Sequence, residues 1–193
     1  MSFKFNTNII YPKDPTASAE RINQYKDYYK IKHDICKEVN PKTIAEIGVR
    51  AGYSSWTFMQ ACPSAKLYCI DANNGTHGGG GGEDGRYKAW AEKILSNYNF
   101  EYIDCDTQKV QFLSLKNIDF FHVDGDHTVG GVMHDLDLAI NCISKNGVIL
   151  IDDIEYIQDV KFGVKSWLKK NKFKHKYIKS LRGECLIYNE RLF

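Results

Sequence analysis

The 193-residue sequence has no hydrophobic run of membrane-spanning length, and its net charge is only +2. A helix that crosses a bilayer needs about 20 consecutive apolar residues, so we expect no membrane association. The first residues lack the charged and apolar regions of an export signal, and none is expected. Because the charge excess is small, overall electrostatics gives no reason to expect nucleic acid as the main partner.

Cysteines are few and scattered. The six of them form no C-x-x-C pair, and no histidines stand at zinc-finger spacing. Sparse cysteines without a framework are typical of reduced thiols, so we predict a cytoplasmic protein. Hydrophobic residues make up 43% of the chain and charged residues 26%, ordinary values for a globular protein of one compact domain.

Short apolar runs alternate with helical stretches after an N-terminal segment. Residues 1–40 are predicted to form an arm, with Ser18 as a helix N-cap, and one amphipathic helix ending before Pro41. Residues 41–193 are predicted to form the main domain. Its strands are expected at 43–47, 67–70, 100–103, 119–123 and 147–151. Its helices are expected at 54–61, 87–98, 130–143 and 160–170, with a helical or turn segment at 110–115.

This alternation predicts an α/β fold with a parallel sheet and helices on both of its faces. The final strands, at 174–178 and 184–188, are separated by a short glycine-containing link. A link of this kind predicts an antiparallel pair that closes one edge of the sheet.

The sequence A-E-I-G-V-R-A-G-Y-S-S, residues 45–55, lies where the first strand passes into the first helix. Ligands bind at this end of a parallel sheet, and Gly48 and Gly52 would let the backbone approach them. The spacing differs from the G-x-G-x-x-G of dinucleotide sites. Glu46 would repel a pyrophosphate but attract an ammonium or sulfonium group. We therefore predict a cationic nucleoside ligand and not a dinucleotide.

Two further positions follow strands at the same end of the sheet. Asp71 ends the second strand and is placed to accept hydrogen bonds from both hydroxyls of a ribose. Asp106 and Thr107 follow the third strand and are predicted to contact the edge of the base.

A group of aspartates follows the fourth and fifth strands. Asp124 ends one of these strands, and Asp152 and Asp153 end the other. Neighbouring strands lie about 4.8 Å apart, a spacing that one hard cation bridges. We therefore predict a site for Mg2+ or Mn2+ at these three aspartates. The alternatives are a helix cap for Asp153 and a turn for Asp126, and for Asp126 we prefer the turn.

His127 lies on the turn three residues after Asp124. A neutral imidazole there would be a suitable general base, because its pKa is near the working pH. His122 lies inside the strand, and we expect it to pack or pair within the fold.

Together these residues resemble class I S-adenosylmethionine-dependent methyltransferases. That resemblance implies a Rossmann-like, doubly wound, seven-stranded sheet of order 3-2-1-4-5-7-6 with strand 7 antiparallel. The segments D-G-D-H-T, G-V-M-H-D-L-D-L-A and N-G-V-I-L-I-D-D are similar to the metal-dependent macrocin and mycinamicin sugar O-methyltransferases. The resemblance implies Mg2+ at Asp124, Asp152 and Asp153, with His127 taking the hydroxyl proton. The predicted cofactor-binding residues are Glu46, Gly48, Gly52, Ser54, Asp71, Asp106, Thr107 and Asp124.

Two segments remain outside these motifs. Seven of the eleven residues from 75 to 85 are glycine, and this stretch is interpreted either as a lid or as a flexible linker. In similar enzymes a lid here carries His, Gly and Tyr, to which His77, Gly78 and Tyr87 would correspond. Residues 161–182 contain nine Lys or Arg and no acidic residue, which fits a solvated face or an anion-binding surface.

The leading hypothesis is transfer of a methyl group from S-adenosylmethionine to a hydroxyl of a sugar or another vicinal diol, assisted by a divalent metal. One alternative is a nucleic-acid methyltransferase that uses the basic C-terminal segment. Another is a nucleoside-binding subunit without catalysis. The sequence leaves the acceptor and the oligomeric state open, a homo-oligomer included.

Overall fold

A seven-stranded sheet forms the centre of the protein. The structure is a computed structural model and describes residues 3–15, 19–77 and 85–188. The strands are β1 (Thr43–Ile47), β2 (Lys66–Asp71), β3 (Phe100–Asp104), β4 (Ile118–Val123), β5 (Ile143–Ile151), β6 (Lys174–Ile178) and β7 (Glu184–Tyr188). Their order across the sheet is β3-β2-β1-β4-β5-β7-β6.

Five α-helices accompany these strands in the described part of the chain. They are α1 (Ala19–Val39), α2 (Tyr53–Ala61), α3 (Arg86–Leu95), α4 (Val129–Cys142) and α5 (Gln158–Asn171). Strands β1 to β5 are parallel, whereas β7 runs antiparallel to both β5 and β6. The predicted fold class, strand order and antiparallel closing pair are therefore confirmed.

Two hydrophobic clusters cover the two faces of the sheet. Successive side chains of a strand point to opposite faces, so Phe120 packs with Phe58 of α2 and Phe121 packs in the other cluster with Leu136 of α4. All four side chains are fully buried. Burying one such side chain contributes about 1.5–3 kcal/mol, so the sheet core holds the strand ends in fixed positions.

Several element boundaries differ from the sequence prediction. Residues 110–115 form no helix, and a short 3-10 helix at Thr107–Lys109 precedes them. Strand β5 begins at Ile143, earlier than predicted, because Ile143 pairs with Ile118 of β4 before a shift in register between Ile118 and Phe120. Ser18, predicted as a helix N-cap, lies outside the described residues.

No helix in the described ranges combines the length and hydropathy that crossing a lipid bilayer requires. The six cysteines carry free thiols, and five of them are buried.

Candidate active site

A cavity of about 540 Å³ opens at the carboxyl ends of β1, β2, β4 and β5. Strand ends meet there because β1 lies between β2 and β4 in the sheet order. The N-terminal arm (residues 3–15) and α1 form its other wall through aromatic and apolar side chains, among them Phe5, Tyr25, Tyr28 and Tyr29. The cavity therefore has a polar floor made by strand ends and an apolar wall made by the N-terminal segment.

The turn after β1 borders this cavity and depends on glycine. Gly48 has φ of +85°, and a Cβ atom there would lie 1.9 Å from the carbonyl oxygen of Asp124. The backbone N–H of Asp124 donates to the carbonyl of Ile47 at 3.0 Å. The first turn and the end of β4 thus pack backbone against backbone, which leaves no room for a side chain.

Gly52 gives α2 its start. It has φ of +80°, and an added Cβ would lie 2.9 Å from the Cβ of Ala91 on α3. Ser54, in the first turn of α2, borders the cavity, and its Oγ accepts a hydrogen bond from Lys32 at 3.2 Å.

Asp71 lies at the end of β2, where the sequence predicted it. Its Oδ2 accepts a hydrogen bond from the backbone N–H of Arg50 at 2.8 Å, and its Oδ1 accepts one from that of Asn73 at 2.7 Å. The side chain borders the cavity and is half-buried. These two backbone bonds hold the carboxylate in one orientation at the cavity edge.

Thr107 and Asp106 differ in their positions. Thr107 is buried and borders the cavity, but Asp106 is not among the residues that line it. The Asp106 carboxylate accepts a hydrogen bond from the backbone N–H of Gln108 at 3.2 Å and pairs with Lys109 and with His77. Contact between Asp106 and a base stays a prediction.

His77 joins two loops at the cavity edge. Its Nε2 lies 2.9 Å from Asp106 Oδ1, and its Nδ1 lies 3.1 Å from Asp126 Oδ2. Burial opposes the protonation of His77, but the two carboxylates outweigh it and raise its pKa above the usual range. Asp126 also accepts a hydrogen bond from the backbone N–H of Thr128 at 2.7 Å, as its predicted turn requires. Gly78 and the rest of 78–84 lie outside the described residues.

Glu46 is buried on β1 and is fully engaged. Its Oε1 lies 2.8 Å from His122 Nδ1, and its Oε2 accepts a hydrogen bond from the hydroxyl of Ser55. His122 is therefore paired within the fold, as predicted. Glu46 also borders the cavity, so its predicted role next to a cationic ligand stays a prediction.

Asp124, His127 and Asp153 form a cluster at the ends of β4 and β5. His127 Nε2 lies 3.5 Å from Asp124 Oδ1 and 3.6 Å from Asp153 Oδ2. Burial opposes protonation of the imidazole, but Asp124 and then Asp153 outweigh it, so the pKa of His127 is raised. The imidazole is thus held between two carboxylates at the cavity.

The two carboxylates of this cluster differ in their pKa. Burial favours the neutral form of Asp124, but His127 and the ammonium of Lys32 outweigh it and hold the pKa of Asp124 below its usual range. Burial, together with the charges of Asp124 and Asp152, raises the pKa of Asp153 to about 7. Arg182, which donates to Asp153 Oδ1 at 3.1 Å, opposes that rise.

Asp152 does not join this cluster, although the sequence predicted that Asp124, Asp152 and Asp153 would come together. Its Oδ2 accepts hydrogen bonds from Lys32 Nζ at 2.7 Å and from the hydroxyl of Tyr28. Among the described residues, the ligand-type atoms that converge belong to Asp124, His127 and Asp153 and lie within 4.8 Å of one another. The sequence places Asp152 at the correct strand end, but its carboxylate is turned toward α1.

Sequence reasoning missed Lys32 and Arg182. Lys32 lies at helical spacing from Tyr25, Tyr29 and Cys36, so it stands on the apolar side of α1. A lysine on an apolar helix face was the sequence feature that could have indicated its buried position. Arg182 belonged to the basic segment but had no local feature that set it apart. The structure brings both side chains to the aspartates.

Comparison with known proteins identifies the family. A family model described as a methyltransferase domain matches residues 45–154, from β1 to just beyond β5. The chain belongs to this family. The protein is therefore a methyltransferase, and the matched residues include the first βα turn, Asp71 and the Asp124 cluster. Among curated proteins, none matches the methyltransferase by sequence.

Solved structures share the fold of this methyltransferase at low identity. An O-methyltransferase from Bacillus cereus in complex with SAH is 13% identical with a TM-score of 0.66, covering 92% of this chain and 84% of that one. The SAH-bound methyltransferase PaMTH1 from Podospora anserina is 14% identical with a TM-score of 0.68, covering 95% and 85%. TomG, an O-methyltransferase from Streptomyces achromogenes in complex with SAM, is 15% identical with a TM-score of 0.64, covering 84% and 79%.

Proposed function

We propose that this methyltransferase transfers a methyl group from S-adenosylmethionine to a hydroxyl oxygen of a small acceptor, a sugar or another vicinal diol. The observation that carries the proposal is the position of His127, held between two carboxylates at the same cavity that Asp71 and the Gly48 turn border. Residues predicted to bind the nucleoside and a residue able to accept a proton thus border the same cavity. The similar folds with SAM or SAH bound, two of them O-methyltransferases, support the same assignment.

The neutral form of His127 is suited to accept the proton of the acceptor hydroxyl as the methyl group transfers. Asp124 then stabilises the imidazolium, because opposite charges attract strongly in a partly buried site. The aromatic side chains of α1 and the arm exclude water from the opposite wall, which favours a reaction in which alkoxide and sulfonium neutralise each other.

The positions of the basic residues favour a small acceptor over a nucleic acid. In the part of α5, β6 and the following turn that the structure describes, Arg182 is the basic residue that borders the cavity. Lys174 and Lys176 lie on β6, an outer strand of the sheet. A basic surface separated from the cavity gives little support to the nucleic-acid alternative.

Assistance by Mg2+ or Mn2+, the other part of the sequence hypothesis, is not needed for this proposal. Asp124, His127 and Asp153 are close enough to share one ion by distance alone. However, Asp152 contacts the ammonium of Lys32 and Asp153 contacts the guanidinium of Arg182. Because two of the three predicted aspartates already pair with cations of the chain, the predicted set does not fit a divalent metal.

Cofactor binding is tested by calorimetry of the full chain with S-adenosylhomocysteine and with NAD. We expect binding of the first and none of the second. Asp71→Asn should weaken binding of S-adenosylhomocysteine about tenfold, the equivalent of about 1.4 kcal/mol, because a ribose hydroxyl loses a charged acceptor. Asp104→Asn, at the end of the neighbouring strand β3, is the matched control and should leave the affinity unchanged. Binding of NAD alone would contradict the proposal.

The hydroxyl acceptor is tested with a panel of sugars and other vicinal diols and with His127→Gln. Removing a general base lowers turnover by about 10²–10⁴-fold, while the affinity for S-adenosylhomocysteine should stay unchanged. Equal turnover of the variant and the wild type on an accepted diol would remove His127 from the reaction.

A further inference from the structure

A lysine lies fully buried behind the candidate active site. Lys32 of α1 has no solvent exposure. Its ammonium lies 2.7 Å from Asp152 Oδ2, 3.2 Å from Ser54 Oγ and 3.2 Å from His122 Nε2, and 4.3 Å from the centre of the Tyr28 ring. These contacts join α1 to the end of β5, to β4 and to the start of α2.

Lys32 forms a closed ion pair in this environment. Its ammonium and the Asp152 carboxylate are both fully buried and lie 2.7 Å apart. A buried lysine without a partner would lose its proton, whereas a carboxylate in direct contact favours the charged form. The ion pair therefore places a positive charge beside the aspartates that follow β5.

Asp152 has little capacity left for another ligand. Its Oδ2 accepts hydrogen bonds from Lys32 and from the hydroxyl of Tyr28, and its Oδ1 accepts one from the backbone N–H of Asp153 at 2.8 Å. Divalent cations need direct contact with carboxylate oxygens at about 2.0–2.6 Å. Such an ion would have to displace the ammonium from a site where it is fully enclosed.

Arg182 balances the negative charge of the second carboxylate, that of Asp153. Its Nη1 lies 3.1 Å from Asp153 Oδ1 and 3.4 Å from Asp153 Oδ2, and its guanidinium lies 5.0 Å from the centre of the Tyr156 ring. A permanent cation thus touches each aspartate at the end of β5, and Asp124 faces His127. A divalent ion among these groups would lie beside two fixed positive charges.

We propose that Lys32 and Arg182 are built-in counter-cations that take the place of a divalent metal, so that the carboxylates of Asp152 and Asp153 lie side by side after β5 without one. Lys32 is a positioning residue in this arrangement, since it fixes the Asp152 carboxylate and the Ser54 hydroxyl relative to each other. The inference concerns the same site as the proposed function. Its test measures metal binding alone, so either proposal can fail without the other.

The test is Mn2+ binding to the full chain, purified with a chelator and followed by electron paramagnetic resonance. Wild type should bind no Mn2+ at this site. Lys32→Met keeps the length and apolar stem of the side chain but removes the charge, so we expect it to gain one bound Mn2+ per chain. Lys30→Met changes an exposed lysine of the same helix, paired with Asp34, and should gain none.

Further variants decide the result. One Mn2+ per chain in the wild type, lost in Asp124→Asn or in Asp152→Asn, would overturn the proposal. Binding that persists in both variants arises elsewhere and supports it. A folded Lys32→Met that gains no Mn2+ would also overturn it. Should Lys32→Met not fold, the wild-type measurement decides alone. The double variant Lys32→Met with Asp152→Asn should bind no Mn2+. If it binds Mn2+, then Asp152 is not the ligand that Lys32 blocks.

Discussion

Gly48 illustrates how one residue joins the fold to the candidate site. Its backbone lies so close to the end of β4 that even a methyl group would overlap the carbonyl of Asp124. Its φ of +85° also lies in the region that favours glycine. Any other residue must move either the first turn or the strand end that carries Asp124.

We expect Gly48→Ala to lower the free energy of unfolding by more than about 2 kcal/mol, because about 1–2 kcal/mol of backbone strain and about 1–3 kcal/mol of overlap act together. Gly85→Ala is the matched control. Gly85 has φ of +72° but nothing within 4 Å of an added Cβ, so only the strain applies. Urea denaturation measures both. Equal losses would show that contact with Asp124 is unimportant.

For single residues, the sequence predicted positions along the strands better than the orientations of side chains. The strand pattern placed Asp71, Asp124 and Asp152 at the correct strand ends, because parallel strands end at one edge of a sheet. It could not predict that Asp152 turns toward α1, because that orientation depends on Lys32, distant along the chain. A buried pair of this kind is specified by packing and not by a local motif.

The N-terminal arm, residues 3–15, is the element that closes the apolar wall of the cavity. Phe5 stacks on Tyr29 with ring centres 4.4 Å apart, and the Trp90 indole N–H donates to the carbonyl of Ile9 at 2.6 Å. At the end of the arm, both oxygens of Asp14 accept hydrogen bonds from the Arg50 guanidinium at 2.8 Å. The arm is therefore attached to the first βα turn by a two-bond ion pair.

We expect Asp14→Asn to loosen the arm, because a neutral amide replaces a buried carboxylate that accepts two charged hydrogen bonds. The free energy of unfolding should fall by about 1–3 kcal/mol, and amide hydrogen exchange should become faster between residues 5 and 14. Asp34→Asn removes an exposed partner of Lys30 and should change stability by less than about 0.5 kcal/mol. Unchanged exchange in the arm would contradict this role of Asp14.

Helices and strands with a clear hydrophobic pattern could be predicted from the sequence, and segments without such a pattern could not. The buried runs of β1 and β4 and the helical spacing of α1 gave the core of the fold. The arm has no period, and its contacts with α1, α3 and the first turn join residues far apart in sequence, so no local pattern indicated them. At 110–115 the alternatives of helix and turn could not be separated, and the chain there has no regular helix.

Buried carboxyl groups determine how the stability of the whole molecule depends on pH. Glu184 of β7 is 1% exposed. Burial raises its pKa to about 7, although the Lys32 ammonium opposes this. Burial likewise raises the pKa of Asp135 to about 6. The folded molecule therefore holds protons that the unfolded chain has released.

Since the pKa of Glu184 is higher in the folded state, its protonated form stabilises the fold at low pH, and this contribution is lost as pH rises from about 4.5 to about 7. Glu184→Gln should remove this loss, which amounts to at most about 3 kcal/mol. Urea denaturation at several pH values measures the difference between variant and wild type. Glu101→Gln, exposed on β3, should leave the slope unchanged, and an unchanged slope in Glu184→Gln would contradict the assignment.

The outer strand β6 has a consequence for the molecule at high concentration. The backbone groups along a sheet edge are a template on which a second chain can add. In β6 that edge carries the exposed side chains of Lys174, His175 and Lys176. Two copies that joined through β6 would bring like charges side by side, so this basic strand protects the protein from fibril-like growth of its sheet.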